Sequence, residues 1–375
     1  MSIRCFARAA LAATALLAAG AALAAPKVVA GPGADPQCFK PWEASTTHLQ
    51  WPAKTGPYRV ALVNGFVGNT WRIQMIQTAK AYVEKPDIKP LIKDFKVVST
   101  GTDAAAQLGA IEDFINQGFD AIVTIAVSPT GFDRVIRAAN RANVVLVPFD
   151  NVLDTKEVMQ VNEDQLEMGR MHGRWLVENV GKSGALLEVR GIAGNSVDRD
   201  RHIGFREVVE APGTSFKIVE VVGNWDDGAA QKAVADALAV HGKFDGLYVQ
   251  GGTTGAVRAL MDAGHPLVPV SGEAENGFRK LIAEHKDKGL KGLSVGQSPG
   301  MVAVAIKAAL SALQGHPMPQ LISMPIPSES YKTLEAGKNF WPELTDNFFT
   351  ANAFPACGVD ISGIEIMAQT KEDRK

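Results

Sequence analysis

The residues of this chain that could carry chemistry include a serine flanked by glycines. Gly296-Gln297-Ser298-Pro299-Gly300 matches the G-x-S-x-G pattern of a nucleophile elbow, where a serine sits between a strand and a helix. The residue after that serine must donate a backbone N–H to an oxyanion, and Pro299 has none. His316 is the only later histidine, and residues 299–315 contain no Asp or Glu. A hydrolase that uses Ser298 is therefore kept only as an alternative, and we predict no catalytic residue.

A second glycine-rich segment, Gly251-Gly252-Thr253-Thr254-Gly255, lies where a predicted strand turns into a helix. Glycine at such a turn lets a ligand approach the backbone donors of a helix N-terminus. The segment does not match G-x-G-x-x-G, and a tight turn without a ligand would use the same glycines. The seven histidines show no H-E-x-x-H spacing and the cysteines no C-x-x-C spacing. We therefore predict no metal and no cofactor.

A further set of polar and aromatic residues follows the carboxyl ends of predicted strands. In open parallel sheets, the turns after these ends form the ligand crevice. Indole rings can stack on the apolar C–H faces of a sugar, while carboxylates, amides and guanidinium groups can bind its hydroxyls. The set therefore fits a carbohydrate, and the predicted ligand-binding residues are Asn69, Trp71, Asp150, Asn151, Arg201, Trp225, Gly251, Glu273 and Gln297.

Alternating strands and helices must position these residues. In residues 103–117, apolar side chains recur on one helical face, Asp103 can cap the start and Gly118 can end the helix. Ser298 and Pro299 can begin a helix that runs to Leu313. Short apolar runs that suit strands buried on both faces are 58–63, 121–127, 144–149, 184–189, 216–222, 246–250, 267–270 and 293–297. These strands alternate with helices and divide evenly between two halves of the chain. This predicts an α/β fold with two parallel-sheet lobes that face each other across one cleft.

The first residues and the cysteines indicate an exported protein. Residues 1–24 combine a basic start, an apolar stretch and an Ala-Leu-Ala site, which is typical of a signal peptide cleaved after Ala24. The apolar stretch is too short and too weakly hydrophobic for a membrane span. Cleavage leaves Cys38 and Cys357, and an oxidising compartment favours a disulfide between them. Two separate thiols are the alternative.

Length and charge limit the classes of function. The chain has 375 residues and a formal net charge of −2 at pH 7. That length allows two domains of about 150 residues. The charge provides no basic surface for nucleic acid, so no nucleic-acid partner is predicted.

Several of these segments resemble motifs of type I periplasmic sugar-binding proteins, the ribose- and galactose-binding group that serves ABC importers. Residues 188–205 are similar to the family's E-x-x-G-x-x-G-x-x-x-x-x-x-R-x-x-G-F stretch. The similarity covers roughly residues 58–326. The other motifs that carry it are Asn69-Thr70-Trp71, Val147-Pro148-Phe149-Asp150, Gly272-Glu273 and Val295-Gly296-Gln297.

The resemblance implies a doubly wound sheet in each lobe and a hinge of three segments. The crossings are expected near Glu163, Ser298 and Ile326. Lobe 1 would comprise residues 58–163 plus 298–326, and lobe 2 residues 164–297. Residues 25–57 would form an irregular mature N-terminus, and residues 327–375 a C-terminal tail over the hinge and lobes.

The resemblance also implies roles for the site residues. Trp71 would stack on one sugar face and Trp225 on the other or at the rim, while Asp150 and Arg201 would bind hydroxyls from opposite lobes. Glu273 and Gln297 would complete the ring. Gly251-Gly252 replaces a polar Asn-Asp pair of the family and makes room. Arg72, which follows the first aromatic, is interpreted as a solvated helix residue.

The implied function is that of a periplasmic solute-binding protein and not of an enzyme. It would capture a monosaccharide or related polyol by hinge closure and deliver it, as a monomer, to an ABC permease in the inner membrane. A periplasmic sensor subunit that presents a carbohydrate to a membrane receptor would use the same cleft, and the sequence does not separate the two. The sequence also leaves open the identity of the ligand and the role of the tail after Ser328.

Overall fold

The computed structural model describes residues 26–370, so the predicted signal peptide, residues 1–24, lies outside the described part. The helices and strands of the first part of the chain follow the expected alternation. In chain order they are β1 (Lys27–Val29), β2 (His48–Gln50), β3 (Tyr58–Asn64), α1 (Thr70–Val83), β4 (Ile92–Ser99), α2 (Ala104–Asn116), β5 (Ala121–Ile125), α3 (Asp133–Arg141), β6 (Val145–Pro148) and β7 (Gln160–Glu163).

The second part of the chain continues the alternation and ends in short elements. These are α4 (Gln165–Val180), β8 (Ser183–Arg190), α5 (Ser196–Val209), β9 (Ser215–Val222), α6 (Asp227–His241), β10 (Gly246–Val249), α7 (Thr253–Asp262), β11 (Val270–Glu273), α8 (Asn276–His285), β12 (Gly292–Val295), α9 (Met301–Leu313), β13 (Met318–Pro319), β14 (Leu321–Met324), β15 (Ser328–Ser330) and α10 (Gly363–Met367). Single turns of 3-10 helix occur at Lys89–Leu91, Lys286–Lys288 and Pro355–Cys357.

The first lobe is built on a parallel sheet with the strand order β4-β3-β5-β6. Side chains of β3 alternate between its two faces. Val60 and Leu62 belong to the core that contains α1 and α9, whereas Ala61 and Val63 belong to the core that contains α2 and α3. Helices therefore cover both faces of the sheet, which explains why its central strands are continuous apolar runs.

The second lobe is built on a sheet with the order β15-β12-β11-β10-β8-β9. Its strands are parallel except β15, which pairs antiparallel with β12. Leu186 packs with α4 and α5 on one face, and Leu187 packs with α6, α7 and α8 on the other. The predicted fold class, α/β with two doubly wound parallel-sheet lobes, is confirmed, with one antiparallel strand added at an edge.

Three segments cross between the two sheets. They run from β7 into α4, from β12 into α9 and from β14 into β15. The first and third lie side by side, because β7 and β14 are parallel and Glu163 is paired with Met324. The two lobes are therefore joined by these three crossings, two of which are paired as neighbouring strands.

Three local predictions differ from the structure. Strand β4 was not predicted, because its Lys and Asp residues interrupt the apolar run and it is an edge strand. The strand predicted at 267–270 is β11 at Val270–Glu273, since prolines at 266 and 269 cannot donate to a ladder. Helix α9 begins at Met301, not at Pro299, because the Ser298 hydroxyl accepts from the Gly300 N–H, 3.0 Å away, in a turn before the helix.

The segment 25–57, predicted to be irregular, contains β1 and β2, which form a small antiparallel sheet with β13. Strands of two or three residues are too short to show an alternation of apolar and polar residues in the sequence. The predicted disulfide between Cys38 and Cys357 is present and ties this region to the C-terminal tail. Within residues 26–370, none of the helices combines the length and the apolar composition needed to cross a membrane.

The disulfide should stabilise the fold through its loop length. It joins residues 319 positions apart, and closing a loop of that size removes unfolded-state entropy worth on the order of 5 kcal/mol. We expect the Cys38→Ser/Cys357→Ser double variant to lose several kcal/mol of unfolding free energy, on that order of magnitude, measured by urea titration with tryptophan fluorescence. An unchanged urea midpoint would contradict this.

Candidate ligand-binding site

A cavity of about 150 Å³ lies between the carboxyl ends of the two sheets. Elements of both lobes and of the C-terminal tail contribute to its wall. Every predicted site residue except Arg201 lines it, namely Asn69, Trp71, Asp150, Asn151, Trp225, Gly251, Glu273 and Gln297. Residues from distant parts of the sequence therefore meet where a doubly wound fold places its ligand crevice.

The N-terminus of α1 fixes the first aromatic residue of the wall. Asn69 caps the helix, and its side-chain oxygen accepts from the Arg72 N–H, 3.0 Å away. Trp71 follows in the first turn with its indole almost fully buried. The indole Nε1 donates to the Gln297 carbonyl oxygen over 3.0 Å. This bond spans the crossing between the lobes and holds the ring against the cavity.

Two predicted site residues have strained backbones. Asp150 has a φ of 61° and Trp225 a φ of 55°. The left-handed region is uncommon for any residue other than glycine and is a clear outlier for a bulky one. Such conformations persist only when the surroundings impose them, and they cluster at functional sites. The backbone therefore supports the assignment of both residues to a site.

Close packing of glycines surrounds the Trp225 ring. A Cβ atom at Gly191 would lie 2.1 Å from Trp225 Cε2, and one at Gly251 would lie 2.9 Å from Trp225 Cδ1. Both positions therefore need glycine so that the indole can lie on the backbone. Gly251 therefore makes room for Trp225 and also lines the cavity itself.

The donors of the α7 N-terminus are satisfied by the protein itself. The Glu275 carboxylate accepts from the backbone N–H groups of Gly252, Thr253 and Thr254 at 2.8 to 2.9 Å. It also accepts from the Thr254 hydroxyl. Burial and the nearby Asp227 carboxylate raise the pKa of Glu275 to about 8, although these donors favour the charged form. The glycine turn therefore serves a protein carboxylate and not a bound anion.

A buried polar network runs across the floor of the cavity. Arg201 is 1% exposed and lies behind the wall. Its guanidinium donates to Glu273 Oε1, 2.5 Å away, and to Gln297 Oε1. The Gln297 side-chain amide in turn donates to Asp150 Oδ1. Gln297 thus links an arginine of the second lobe to an aspartate of the first.

Burial and neighbouring charges oppose each other in this network. Burial raises the pKa of the Asp150 and Glu273 carboxyls, and Arg201 counteracts the effect at both positions. Arg72 also lowers the pKa of Asp150. The arginines therefore limit how far burial raises the pKa of these two carboxyls.

Arg72 is part of the wall and not a solvated helix residue, as the sequence had suggested. It is 5% exposed and lines the cavity. Its Nη1 donates to Asn64 Oδ1 over 2.9 Å, and its guanidinium carbon lies 5.0 Å from the centre of the Phe66 ring. Burial lowers the pKa of Arg72 to about 10, so it is cationic at neutral pH.

Several lining residues were not predicted. They are Gly68, Thr70, Ile73, Val197, Asp226, Asp227, Gly252, Glu275, Asn347 and Phe349, together with Arg72. Glu275 follows a predicted strand end by a few residues, so the rule that found Glu273 could have found it. Asn347 and Phe349 lie in the tail, where no strand or helix pattern marks them.

Ser298 does not line the cavity. It is fully buried, and its hydroxyl is engaged with the Gly300 N–H. A substrate in the cavity would not meet this hydroxyl, so the geometry gives no support to the hydrolase alternative.

One group of possible metal ligands occurs in the described residues, away from the cavity. Donor atoms of Glu188, His202 and Glu220 lie within 4.8 Å of one another. Arg206 contacts both carboxylates at 2.8 and 3.1 Å, and Arg190 contacts Glu220 at 2.9 Å. Because two guanidinium groups balance the two carboxylates, the cluster is complete as an ion-pair network.

The fold and the cavity define a two-lobed binding protein. The family model described as "Periplasmic binding protein domain" matches residues 60–317, and the chain belongs to this family. The chain is similar to the ribose import binding protein of Bacillus subtilis, with 22% identity over 76% of this chain and 92% of the relative. It is also similar to the galactofuranose-binding protein of Escherichia coli, with 26% identity over 72% of this chain and 88% of the relative.

Solved structures share the fold. A crystal structure of an ABC transporter solute binding protein from Thermobispora bispora is 27% identical and has a TM-score of 0.65, covering 72% of this chain and 84% of that chain. The family model ends before the tail that supplies Asn347 and Phe349.

A buried carboxyl group lies at the crossing of the lobes. Glu163 ends β7 and is fully buried. Its Oε1 accepts from the Ser298 N–H over 3.4 Å, and its Oε2 has no hydrogen-bond partner among the described residues. Burial, with help from Asp150, raises the pKa of Glu163 well above its ordinary value of 4.5.

This raised pKa predicts a pH-dependent stability. Above pH 4.5 the folded chain holds a proton on Glu163 that the unfolded chain has lost, so the free energy of unfolding falls as pH rises. We expect Glu163→Gln to become more stable relative to wild type between pH 5 and pH 8, as measured by urea unfolding. Glu343→Gln, at an exposed position, is the control. A difference between Glu163→Gln and wild type that stays constant with pH would contradict the prediction.

Proposed function

We propose that the chain captures a neutral monosaccharide or related polyol between its lobes and delivers it, chemically unaltered, to an ABC import permease. The observation that carries the proposal is the cavity, in which two indole rings and polar groups of both lobes meet. A cavity of about 150 Å³ is large enough for one six-membered ring, since a cavity of roughly that volume holds benzene.

The chemistry of the wall suits hydroxyl groups. Carboxylates accept hydrogen bonds, guanidinium groups donate them, and the amides of Asn69, Asn151 and Gln297 do both. A sugar hydroxyl also donates and accepts hydrogen bonds, so each of these protein groups can find a partner on the ligand in a closed site. A site that contains such groups rejects ligands lacking hydroxyls, because its buried polar atoms would stay unpaired.

The charges of the wall favour a neutral ligand. Among the described lining residues, Arg72 is the one cation, against the acidic residues Asp150, Asp226, Asp227, Glu273 and Glu275. Several of these carboxylates are already paired, as Glu273 is with Arg201 and Glu275 with the α7 N-terminus. The other lining carboxylates, Asp226 and Asp227, add negative charge that a phosphate or a sugar acid would face. An acidic carbohydrate is therefore disfavoured.

Relatives and topology support import by hinge closure. The relatives are named for ribose import and for galactofuranose binding, and import is preferred to the sensor alternative on that ground. We propose residues 58–163 plus 298–326 and residues 164–297 as the lobes that move. The ligand must bind the closed arrangement more tightly than the open one to shift the population. The protein would act as a periplasmic monomer.

The proposed contacts predict losses of affinity. We expect Trp71→Ala and Asp150→Ala each to weaken ligand binding at least about tenfold, or 1.4 kcal/mol, because each removes a stacking or hydrogen-bonding group that lines the cavity. Arg201→Ala should weaken binding as much, because it leaves the lining side chains of Glu273 and Gln297 without their partner. Titration calorimetry measures this, with thermal unfolding as a check that the variants fold. Asp360→Ala, at an exposed position, is the control. Wild-type affinity in all three site variants would contradict the assignment of these residues to the ligand-binding site.

The charge of the wall predicts the ligand class. In a thermal-shift screen we expect neutral monosaccharides or sugar alcohols to raise the unfolding temperature, since ligand binding stabilises the folded state. Sugar phosphates and sugar acids of the same carbon number should produce no shift, because the wall repels them. A shift from the acids and phosphates alone would contradict the proposal.

A further inference from the structure

A segment of the C-terminal tail, residues 341–352, forms part of the cavity wall. We refer to it as the strap. Asn347 and Phe349 of the strap line the cavity with the side chains of both lobes. The strap lies beyond residues 60–317, which the family model covers. The strap therefore adds wall residues that lie outside the part of the chain matched by the family model.

Main-chain hydrogen bonds attach the strap to the second lobe. The Asn276 N–H donates to the Phe348 carbonyl over 2.7 Å, and the Thr350 N–H donates to the Ala274 carbonyl over 2.8 Å. Asp346 pairs with Arg258 and Lys280 at 2.5 and 3.2 Å. The strap thus follows the loop between β11 and α8, directly beside Glu273 and Glu275.

Hydrophobic packing of Phe348 and Phe349 and hydrogen bonds from one side chain attach the same segment to the first lobe. The amide of Gln74, on α1, donates to the Phe349 carbonyl over 2.9 Å and accepts from the Phe349 N–H over 2.8 Å. Gln74 is 3% exposed. This pair of bonds satisfies both backbone groups of Phe349. Removing it would leave the buried Phe349 N–H without its partner, whereas the Phe349 carbonyl also accepts from the Asn352 side-chain amide.

The attachment continues past Phe349 into the core of the first lobe. A Cβ atom at Gly300 would lie 2.8 Å from the Asn352 carbonyl oxygen. Phe354 and Cys357 belong to the hydrophobic core of the first lobe, and the disulfide to Cys38 holds this end. The strap therefore crosses between the lobes beside the hinge, as a fourth crossing.

We propose that the strap is a specificity-determining wall of the ligand cavity, in which Asn347 and Phe349 contact the ligand and Gln74 is the positioning residue for Phe349. This inference rests on the proposed function. Phe349 presents an apolar surface opposite polar groups, which suits the C–H edge of a polyol. Because both lobes hold its backbone, its position depends on the closed arrangement of the lobes.

Calorimetry against a panel of neutral monosaccharides and sugar alcohols tests the inference. We expect Phe349→Ala to weaken the preferred wild-type ligand about tenfold or more and to change the ranking of the panel. Gln74→Met, which keeps the length but loses both bonds, should weaken the same ligand several-fold. Asn347→Ala, at an exposed position that does not threaten folding, should also change affinity or ranking.

The matched control is Gln77→Met on the same helix. Gln77 also donates to the tail, to the Gln369 carbonyl over 2.7 Å, but lies outside the cavity wall. This variant should keep wild-type affinity and ranking. If the wild type binds the panel while Phe349→Ala, Asn347→Ala and Gln74→Met all match it, the strap inference is overturned and the proposed function stands. If the wild type binds no member, both are overturned.

Discussion

The relation between the lobes depends on the buried side chain and carbonyl of Gln297, at the point where the chain returns from the second lobe to the first. The side chain accepts from Arg201 and donates to Asp150, while the carbonyl accepts from the indole of Trp71. Buried polar groups are costly unless each is satisfied, so moving the lobes apart would break several bonds together. The arrangement of the lobes in this structure and the shape of the cavity are therefore consequences of the same network.

The charges of the network around Gln297 are paired within the protein. A buried guanidinium such as that of Arg201 requires pairing, because an uncompensated charge in the interior is strongly destabilising. Glu273 provides that pairing, and Arg72 partly balances Asp150. Glu275 is occupied by the N-terminus of α7. What remains for a ligand is a set of fixed donors and acceptors beside two indoles, which is the environment that hydroxyl groups require.

The sequence predicted the parts of the fold and site that local patterns encode. Central strands such as β3 and β5 are continuous apolar runs because both of their faces are buried, and Asp150 and Glu273 were found because they follow or end such runs. Strand β4 was missed, since an edge strand carries charges. At the glycine turn 251–252 the sequence leaves open whether a ligand approaches or the chain simply turns, because glycine does not reveal what packs against it. Phe349 gave no signal, since long-range contacts of an irregular tail place it.

Ligand-dependent closure of the two lobes can be measured directly by the distance between spin labels at Thr130 and Ala193, exposed positions in loops after β5 and β8. Double electron–electron resonance is recorded on the doubly labelled protein with and without the polyol that gives the largest thermal shift. Closure around the ligand predicts a shorter and narrower distance distribution in its presence, with the polyol recovered chemically unchanged. An identical distribution at saturating ligand, or a converted polyol, would contradict the proposed mechanism.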